Sequence, residues 1–181
     1  RNPDFWGAFG LNGRFKFLCV GRIAKEKNLA VLGDAFLEVA REDASVNLVF
    51  VGDGPELDAM RKRYAPHPRI AFTGVLLGER LAEAYASADA FVFPSLTDTF
   101  GYAVLEAHAS GLPAIVADRG GPPEIVATHG SGLVVDGASR RAWAGAMRSV
   151  RAPDGTLARL REGALARARD SRWETALAML D

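Results

Sequence analysis

Two acidic side chains stand eight residues apart in one segment: Asp98 in Pro94-Ser-Leu-Thr-Asp-Thr-Phe-Gly101, and Glu106 in Tyr102-Ala-Val-Leu-Glu106. An ionised carboxylate only accepts hydrogen bonds, and its two oxygens suit neighbouring hydroxyls such as those of a sugar. Gly101, between the two, allows a ligand close to the backbone, and a helix starting there would offer free N–H groups to an anion. A second segment, Gly21-Arg-Ile-Ala-Lys-Glu-Lys-Asn28, places Arg22 and Lys27 beside a glycine turn and another helix start. Fixed cations with unpaired helical amides make a phosphate site. Together the two segments suit a ligand with a diphosphate and polyols, and a nucleotide sugar is such a ligand. Taken singly, each has a plainer reading. Lys25–Lys27 serves as a solvated turn, Gly52-Asp-Gly-Pro55 as any strand–helix turn, Asp98 as a helix cap and Glu106 as a surface charge.

The elements around these residues alternate between short β-rich apolar runs and longer amphipathic segments. Phe15–Val20, Val46–Val51, Arg69–Thr73 closed by Gly74, Asp89–Pro94, Ala114–Ala117 and a short run near Leu133–Val135 read as strands. Near-continuous apolar runs are expected of strands buried on both faces of a parallel sheet. Between them, Leu29, Leu32, Phe36 and Val39 have helical spacing, with Asn28 as cap of the first turn. Leu57, Met60 and Tyr64 mark a second helix, with Pro55 at its permitted first position. Leu81, Ala84, Tyr85 and Ala88 mark a third. Helices are also expected from about Gly101 to Ser110, after Pro122, and over most of Ser139 to Leu180, interrupted near Pro153-Asp-Gly155 and Asp170-Ser171. This order predicts an α/β fold: a Rossmann-like open parallel sheet of about six strands with helices on both faces. Ligands of such sheets bind beyond the carboxyl ends of the strands, where the two singled-out segments lie.

Length and composition agree with one globular domain over residues 1–181, with a core at 15–150 and C-terminal helices at 154–181. Hydrophobic residues make up 49% and charged residues 24% of the 181, close to the average of folded domains. Lys plus Arg equals Asp plus Glu at 22 each, so no net field favours nucleic acid or an anionic membrane. The Ala/Arg-rich stretch at 164–169 reads as a solvated helix. The single cysteine, Cys19, sits in an apolar strand, which suits a buried thiol and a cytoplasmic location. No stretch approaches the ~20 apolar residues of a membrane span. Arg1-Asn-Pro-Asp-Phe-Trp6 is not followed by the apolar segment of a secretory leader. Lacking an initiator methionine, the chain is expected to be part of a longer protein, and its Arg- and Ala-rich usage hints at a bacterial source.

Several motifs in register carry a specific resemblance. Val20-Gly-Arg22 with Glu26-Lys27, Gly52-Asp-Gly-Pro55, Pro94 through Glu106, Ala107-His-Ala-Ser-Gly-Leu-Pro113 and Gly120-Gly-Pro-Pro-Glu124 resemble the C-terminal, donor-binding domain of retaining glycosyltransferases of family four. Those enzymes have the two-domain GT-B architecture, and the likeness runs from about Phe15 to Val150. It implies that Arg22 and Lys27 hold the donor diphosphate, with Gly21 and Gly52 in the adjoining turns. The family's paired glutamates fall on Asp98 and Glu106. Glu106 would accept from the ribose hydroxyls and Asp98 from the donor sugar. The backbone of Thr99, Phe100 and Gly101 would support sugar and phosphate, and the base would lie near Thr73-Gly74-Val75. Asp98 replaces the usual Glu and reaches one methylene less far.

By the same resemblance, the intact enzyme transfers a sugar from a UDP- or GDP-linked donor to a lipid or glycan, with retention and without a metal or other cofactor. An N-terminal acceptor domain outside this chain would complete it, with peripheral membrane association through that domain. Among relatives the motif texture is most like that of transferases making glycolipids or related glycosides from UDP- or GDP-sugars. The family's histidine belongs to the other domain, so His108 reads as packing or surface. Asp118-Arg119 reads as a turn, and Trp173 either crosses back towards the other domain or packs on this one. Rivals are another GT-B enzyme, such as a nucleotide-sugar epimerase or a glycogen-type synthase, and a non-enzymatic nucleotide-sensing module. A receiver-like module needs a phosphoacceptor Asp ending a strand, whereas Asp89 begins one.

Overall fold

Every run expected to be a strand is one, and each is followed by a helical segment. The computed structural model describes residue 2 and residues 4–170. Strand β1 (Phe15–Val20) leads into α1 (Leu29–Glu42), β2 (Val46–Val51) into α2 (Leu57–Tyr64), and β3 (Ile70–Gly74) into α3 (Gly78–Ala86). Then β4 (Ala90–Phe93) leads into α4 (Tyr102–Ala109), β5 (Ala114–Ala117) into α5 (Pro122–Thr128), and β6 (Gly132–Val135) into α6 (Arg140–Arg151). A last helix, α7 (Thr156–Asp170), closes the described chain. The expected C-terminal helices at 154–181 are thus described as far as 170. Trp173 and the segment proposed to cross between domains lie outside the described residues.

All six strands are parallel, in the order β3-β2-β1-β4-β5-β6. The sequence direction of the order reverses between β1 and β4, so chain leaving β1 and chain leaving β4 diverge to opposite faces and open a crevice. Phe15, Phe17 and Cys19 of β1 belong to the core under α1, α2 and α6, while Leu18 belongs to the core under α3, α4 and α5. That double burial explains the unbroken apolar runs. The expected stripe Leu29, Leu32, Phe36 and Val39 is buried on α1, each such side chain contributing roughly 1.5–3 kcal/mol. No helix among the described residues is long and apolar enough to cross a membrane.

Local details depart from the sequence reading for identifiable reasons. Asn28 precedes α1 but does not cap it, because it adopts a left-handed backbone (φ 54°) instead of the extended one that aims a side-chain oxygen at the helix amides. Its Nδ2 donates instead to the Gly137 carbonyl at 2.7 Å. Pro55 stays outside α2, since Glu56 N–H is drawn to the Ile23 carbonyl at 3.0 Å and the helix begins only at Leu57. Ala88 is buried as expected but lies beyond the end of α3. A 3₁₀ helix at Phe5–Phe9, with no counterpart in the sequence reading, docks Trp6, whose Nε1 donates to the Ser87 carbonyl at 2.9 Å.

His108 is a core residue of α4, fully shielded from solvent, and neither ring nitrogen has a hydrogen-bond partner of ordinary geometry. Burial first, and then the charge of Arg167, push its imidazole from 6.5 down to about 4, against a smaller opposing pull from the Ser131 backbone. Between those values the unfolded chain binds a proton that the folded chain refuses, so stability falls as pH drops through this window. Thermal unfolding from pH 7 to 4 should show a loss of about 2–3 kcal/mol from this group. His108→Met, similar in volume and without a charge, should flatten the profile. An unchanged profile would contradict this account.

Candidate functional site

A Lys27–Asp98 contact bridges the crevice between β1 and β4. Lys27, at the end of a short 3₁₀ turn (Lys25–Lys27) after β1, places its Nζ 3.1 Å from Asp98 Oδ2 in the segment after β4. The two side chains keep only 21% and 23% of their surface in solvent, so the pair is less screened than an open surface pair, though still worth only on the order of 1 kcal/mol. Lys27 also lies 5.8 Å from the centre of the Phe93 ring. Asp98 is held a second time, its Oδ1 accepting the Gly101 N–H at 2.7 Å. Partial burial pushes its carboxyl pKa up, but the Gly101 amide and the Lys27 ammonium outweigh that, and the net shift is downward. It therefore stays ionised through neutral pH.

The plainer reading of Asp98 as a helix cap does not hold, because the cap position of α4 is Gly101, but one Asp98 oxygen occupies the Gly101 N–H. The amides of Tyr102 and Ala103 at the start of α4 make no backbone hydrogen bond among the described residues. They, not the Gly101 amide, are the donors left free at the start of α4. Arg22 is exposed in the turn after β1 and makes no hydrogen bond or ion pair among the described residues. Phe100 and Tyr102 stack on one another, centroids 5.7 Å apart, and both stand out in solvent. Glu106 lies on α4, and its Oε2 accepts the Tyr85 hydroxyl at 2.8 Å.

The turns after β1, β2 and β3 are laced together by backbone hydrogen bonds. Gly21 N–H donates to Val51 O at 3.0 Å, Ile23 N–H to Asp53 O at 2.9 Å, and Gly52 N–H to Gly74 O at 2.9 Å. Gly52 sits at φ 139°, and a Cβ built on it would stand 1.9 Å from the Gly21 carbonyl oxygen. Gly21, Arg22, Gly52 and Val75 share the wall of an open hollow of about 300 Å³. On the other side of the crevice, a Cβ on Gly121 would lie 2.1 Å from the Thr99 carbonyl oxygen, and Gly121 N–H donates to Asp98 O at 3.1 Å. The turn after β5 thereby clamps residues 98 and 99 in place. Asp118 adds to this packing, its Oδ1 accepting Gly137 N–H at 3.1 Å, consistent with its expected role in a turn.

The structure therefore brings Lys27 to Asp98, and Gly21, Arg22, Gly52 and Val75 to one hollow, with Gly74 hydrogen-bonded to its wall. Thr99 and Phe100 are exposed in the segment after β4. In the sequence Tyr85 reads only as part of an apolar helical stripe, because a hydroxyl reaching another helix leaves no local signal. Cys19 is an inert core thiol: burial raises its pKa to about 12 against the opposing charge of Lys27. Among the described residues, no three His, Cys, Asp or Glu side chains come together as a metal-binding group.

Residues 14–152 match the family described as "Glycosyl transferases group 1". The chain belongs to that family. A D-inositol 3-phosphate glycosyltransferase of Xylanimonas cellulosilytica is 34% identical over 172 residues, covering 91% of this chain and 40% of that protein. A GDP-mannose-dependent alpha-mannosyltransferase of Mycolicibacterium smegmatis is 47% identical over 120 residues, 65% of this chain and 29% of that one. The chain spans between a fifth and about two-fifths of the length of the curated relatives it matches. Its fold is that of the C-terminal domain of a glycosyl transferase group 1 family protein from Francisella tularensis, with a TM-score of 0.81 at 20% identity over 94% of this chain and 92% of that one. The pneumococcal O-GlcNAc transferase GtfA, solved with UDP and GlcNAc, superposes with a TM-score of 0.82 at 22% identity, over 94% of this chain and 35% of that one. The fold is the Rossmann-like half of a GT-B architecture.

The interlocked turns of this group 1 domain leave no room at Gly52. Gly52→Ala adds a methyl group against the Gly21 carbonyl in a backbone region costly for any other residue, and should destabilise the fold by about 2–3 kcal/mol. Urea unfolding monitored by circular dichroism measures this directly, and an unchanged midpoint would contradict the packing described.

Proposed function

We propose that this domain binds the donor of a retaining glycosyltransferase: a UDP- or GDP-linked sugar whose diphosphate lies between Arg22, Lys27 and the free amides at the start of α4. The observation that supports this reading is the Lys27–Asp98 contact at the point where the strand order reverses, with Arg22, unpaired among the described residues, in the turn that leads from β1 to Lys27. A diphosphate arriving there draws on the charge of Lys27 and releases Asp98 Oδ2 to accept from the donor sugar. The base enters the hollow beside Gly74 and Val75, and the ribose meets Glu106. The names of the relatives favour such a donor: one uses GDP-mannose, and a structural neighbour was solved with UDP.

The chemistry assigned to this chain is leaving-group stabilisation. As the sugar–phosphate bond breaks, negative charge grows on the diphosphate oxygen, and pre-placed cations and amides meet that charge without reorganising. These groups perform that task without a metal or other cofactor, which is the form of the reaction proposed. The acceptor, lipid or glycan, would be held by a preceding N-terminal domain. We place the complete enzyme in the bacterial cytoplasm, peripheral to the inner face of the membrane, in glycolipid or polysaccharide synthesis. A glycogen-type synthase or an epimerase of the same architecture would arrange other contacts around the sugar. Thermal shift with UDP-GlcNAc, ADP-glucose and GDP-mannose separates these readings.

Titration calorimetry of the chain with UDP and GDP should detect weak binding of one of them, with no sugar transfer by the chain alone. Glu106→Ala and Arg22→Ala should each weaken that binding by ~1.5–3 kcal/mol, as expected for losing a hydrogen bond to a charged group. Wild-type affinity in both variants would overturn the placement of the nucleotide. Robust turnover by this chain would overturn the need for a second domain.

A further inference from the structure

Tyr85 is built into the apolar layer under α3, 3% exposed, its ring tilted against Phe91 with centroids 5.8 Å apart. Its hydroxyl leaves that layer and donates to Glu106 Oε2 on the neighbouring helix at 2.8 Å. Among the described residues no other side chain hydrogen-bonds Glu106. An exposed glutamate with three rotatable bonds samples many rotamers, and fixing it costs conformational entropy whenever a ligand engages it. A buried aromatic ring has no such freedom. Its donated bond fixes one carboxylate oxygen and thereby the plane of the other.

We infer that Tyr85 is a positioning residue for the nucleotide ribose, holding Glu106 by Oε2 so that Oε1 is pre-oriented to accept from the ribose diol. This deepens the proposed function and rests on the reading of Glu106 as the ribose acceptor. The pairing also fixes the direction of the bond. Burial first, and then the adjacent carboxylate, hold the Tyr85 phenol protonated well above its ordinary range, so the phenol is the donor of this bond. Pre-orientation of this kind raises affinity by removing an ordering cost, not by adding a contact to the ligand. Its signature is therefore selective. It affects ligands that carry the diol and spares those that lack it.

The test compares UDP and GDP with their 2′,3′-dideoxy counterparts by calorimetry on wild type, Tyr85→Phe and Glu106→Ala. Wild type should prefer the ribonucleotide, and Glu106→Ala should abolish the preference. Tyr85→Phe keeps the ring in the core and should reduce the preference about 3–10-fold, with dideoxynucleotide affinity unchanged. If Tyr85→Phe keeps the wild-type preference while Glu106→Ala loses it, or if it weakens both nucleotides equally, the positioning role is overturned and the Glu106 reading stands. If wild type shows no preference, the Glu106 reading fails and this inference fails with it. Should Tyr85→Phe not fold, crystals of the wild type with the ribonucleotide decide the matter. Tyr85 Oη within hydrogen-bonding distance of a ribose-bound Glu106 is the expected result, and a Tyr85 hydroxyl turned away from Glu106 overturns the inference.

Discussion

One charge pair joins what the strand order pulls apart. Chain leaving β1 and chain leaving β4 run to opposite faces of the sheet, yet Lys27 from the first meets Asp98 from the second at 3.1 Å. The pair is modest as a source of stability. Its importance is positional, because it sets a cation and an anion side by side over the carboxyl ends of the central strands. On the proposed reading, the cation serves a diphosphate and the anion a sugar, so the same contact holds both halves of the site ready.

That contact requires the backbone around it to come closer than side chains allow. Gly52 lets the turn after β2 lie against the turn after β1, and Gly121 lets the turn after β5 lie against residues 98 and 99. Hydrogen bonds from Gly21, Ile23 and Gly52 then tie the first three post-strand turns into one wall. The wall is rigid because it consists of main chain anchored to a sheet buried on both faces. The groups free to respond are exposed side chains, Arg22 and the stacked Phe100 and Tyr102, while Glu106 is held by Tyr85. A fixed frame with few mobile contacts suits a ligand whose developing charge must be met by groups already in place.

How much of this could be read from the residues depends on the range of the force involved. Phe15–Val20, Val46–Val51 and Ala114–Ala117 have the boundaries expected of them, because burial on both faces writes itself into consecutive residues. The loops carrying Arg22, Lys27 and Asp98 were legible for the same reason, since strand ends locate them and charge types mark them. Asn28 carries no local sign that its amide serves Gly137, more than a hundred residues away. Pro55 carries none that Glu56 is held by Ile23 in another turn. Tyr85 shows only its ring, as its hydroxyl acts across helices. His108, with no local signal to separate core from surface, became definite only when α4 was packed. The resemblance supplied roles for residues, whereas the structure supplied the partners that constrain them: Gly101 N–H is used by Asp98, and Glu106 is tethered by Tyr85.

A nucleotide diphosphate bound at the Lys27–Asp98 contact would take up the charge of Lys27. Following the Asp98 side-chain carboxyl by carbon-13 NMR across acid pH, with and without saturating nucleotide, tests this most directly. In the protein alone the Asp98 carboxyl should titrate below the ordinary aspartate value of about 3.9. With nucleotide bound its pKa should clearly rise, because the ammonium is shared and new negative charge arrives alongside. A titration that does not change on saturation would mean that the diphosphate lies elsewhere, contradicting the account.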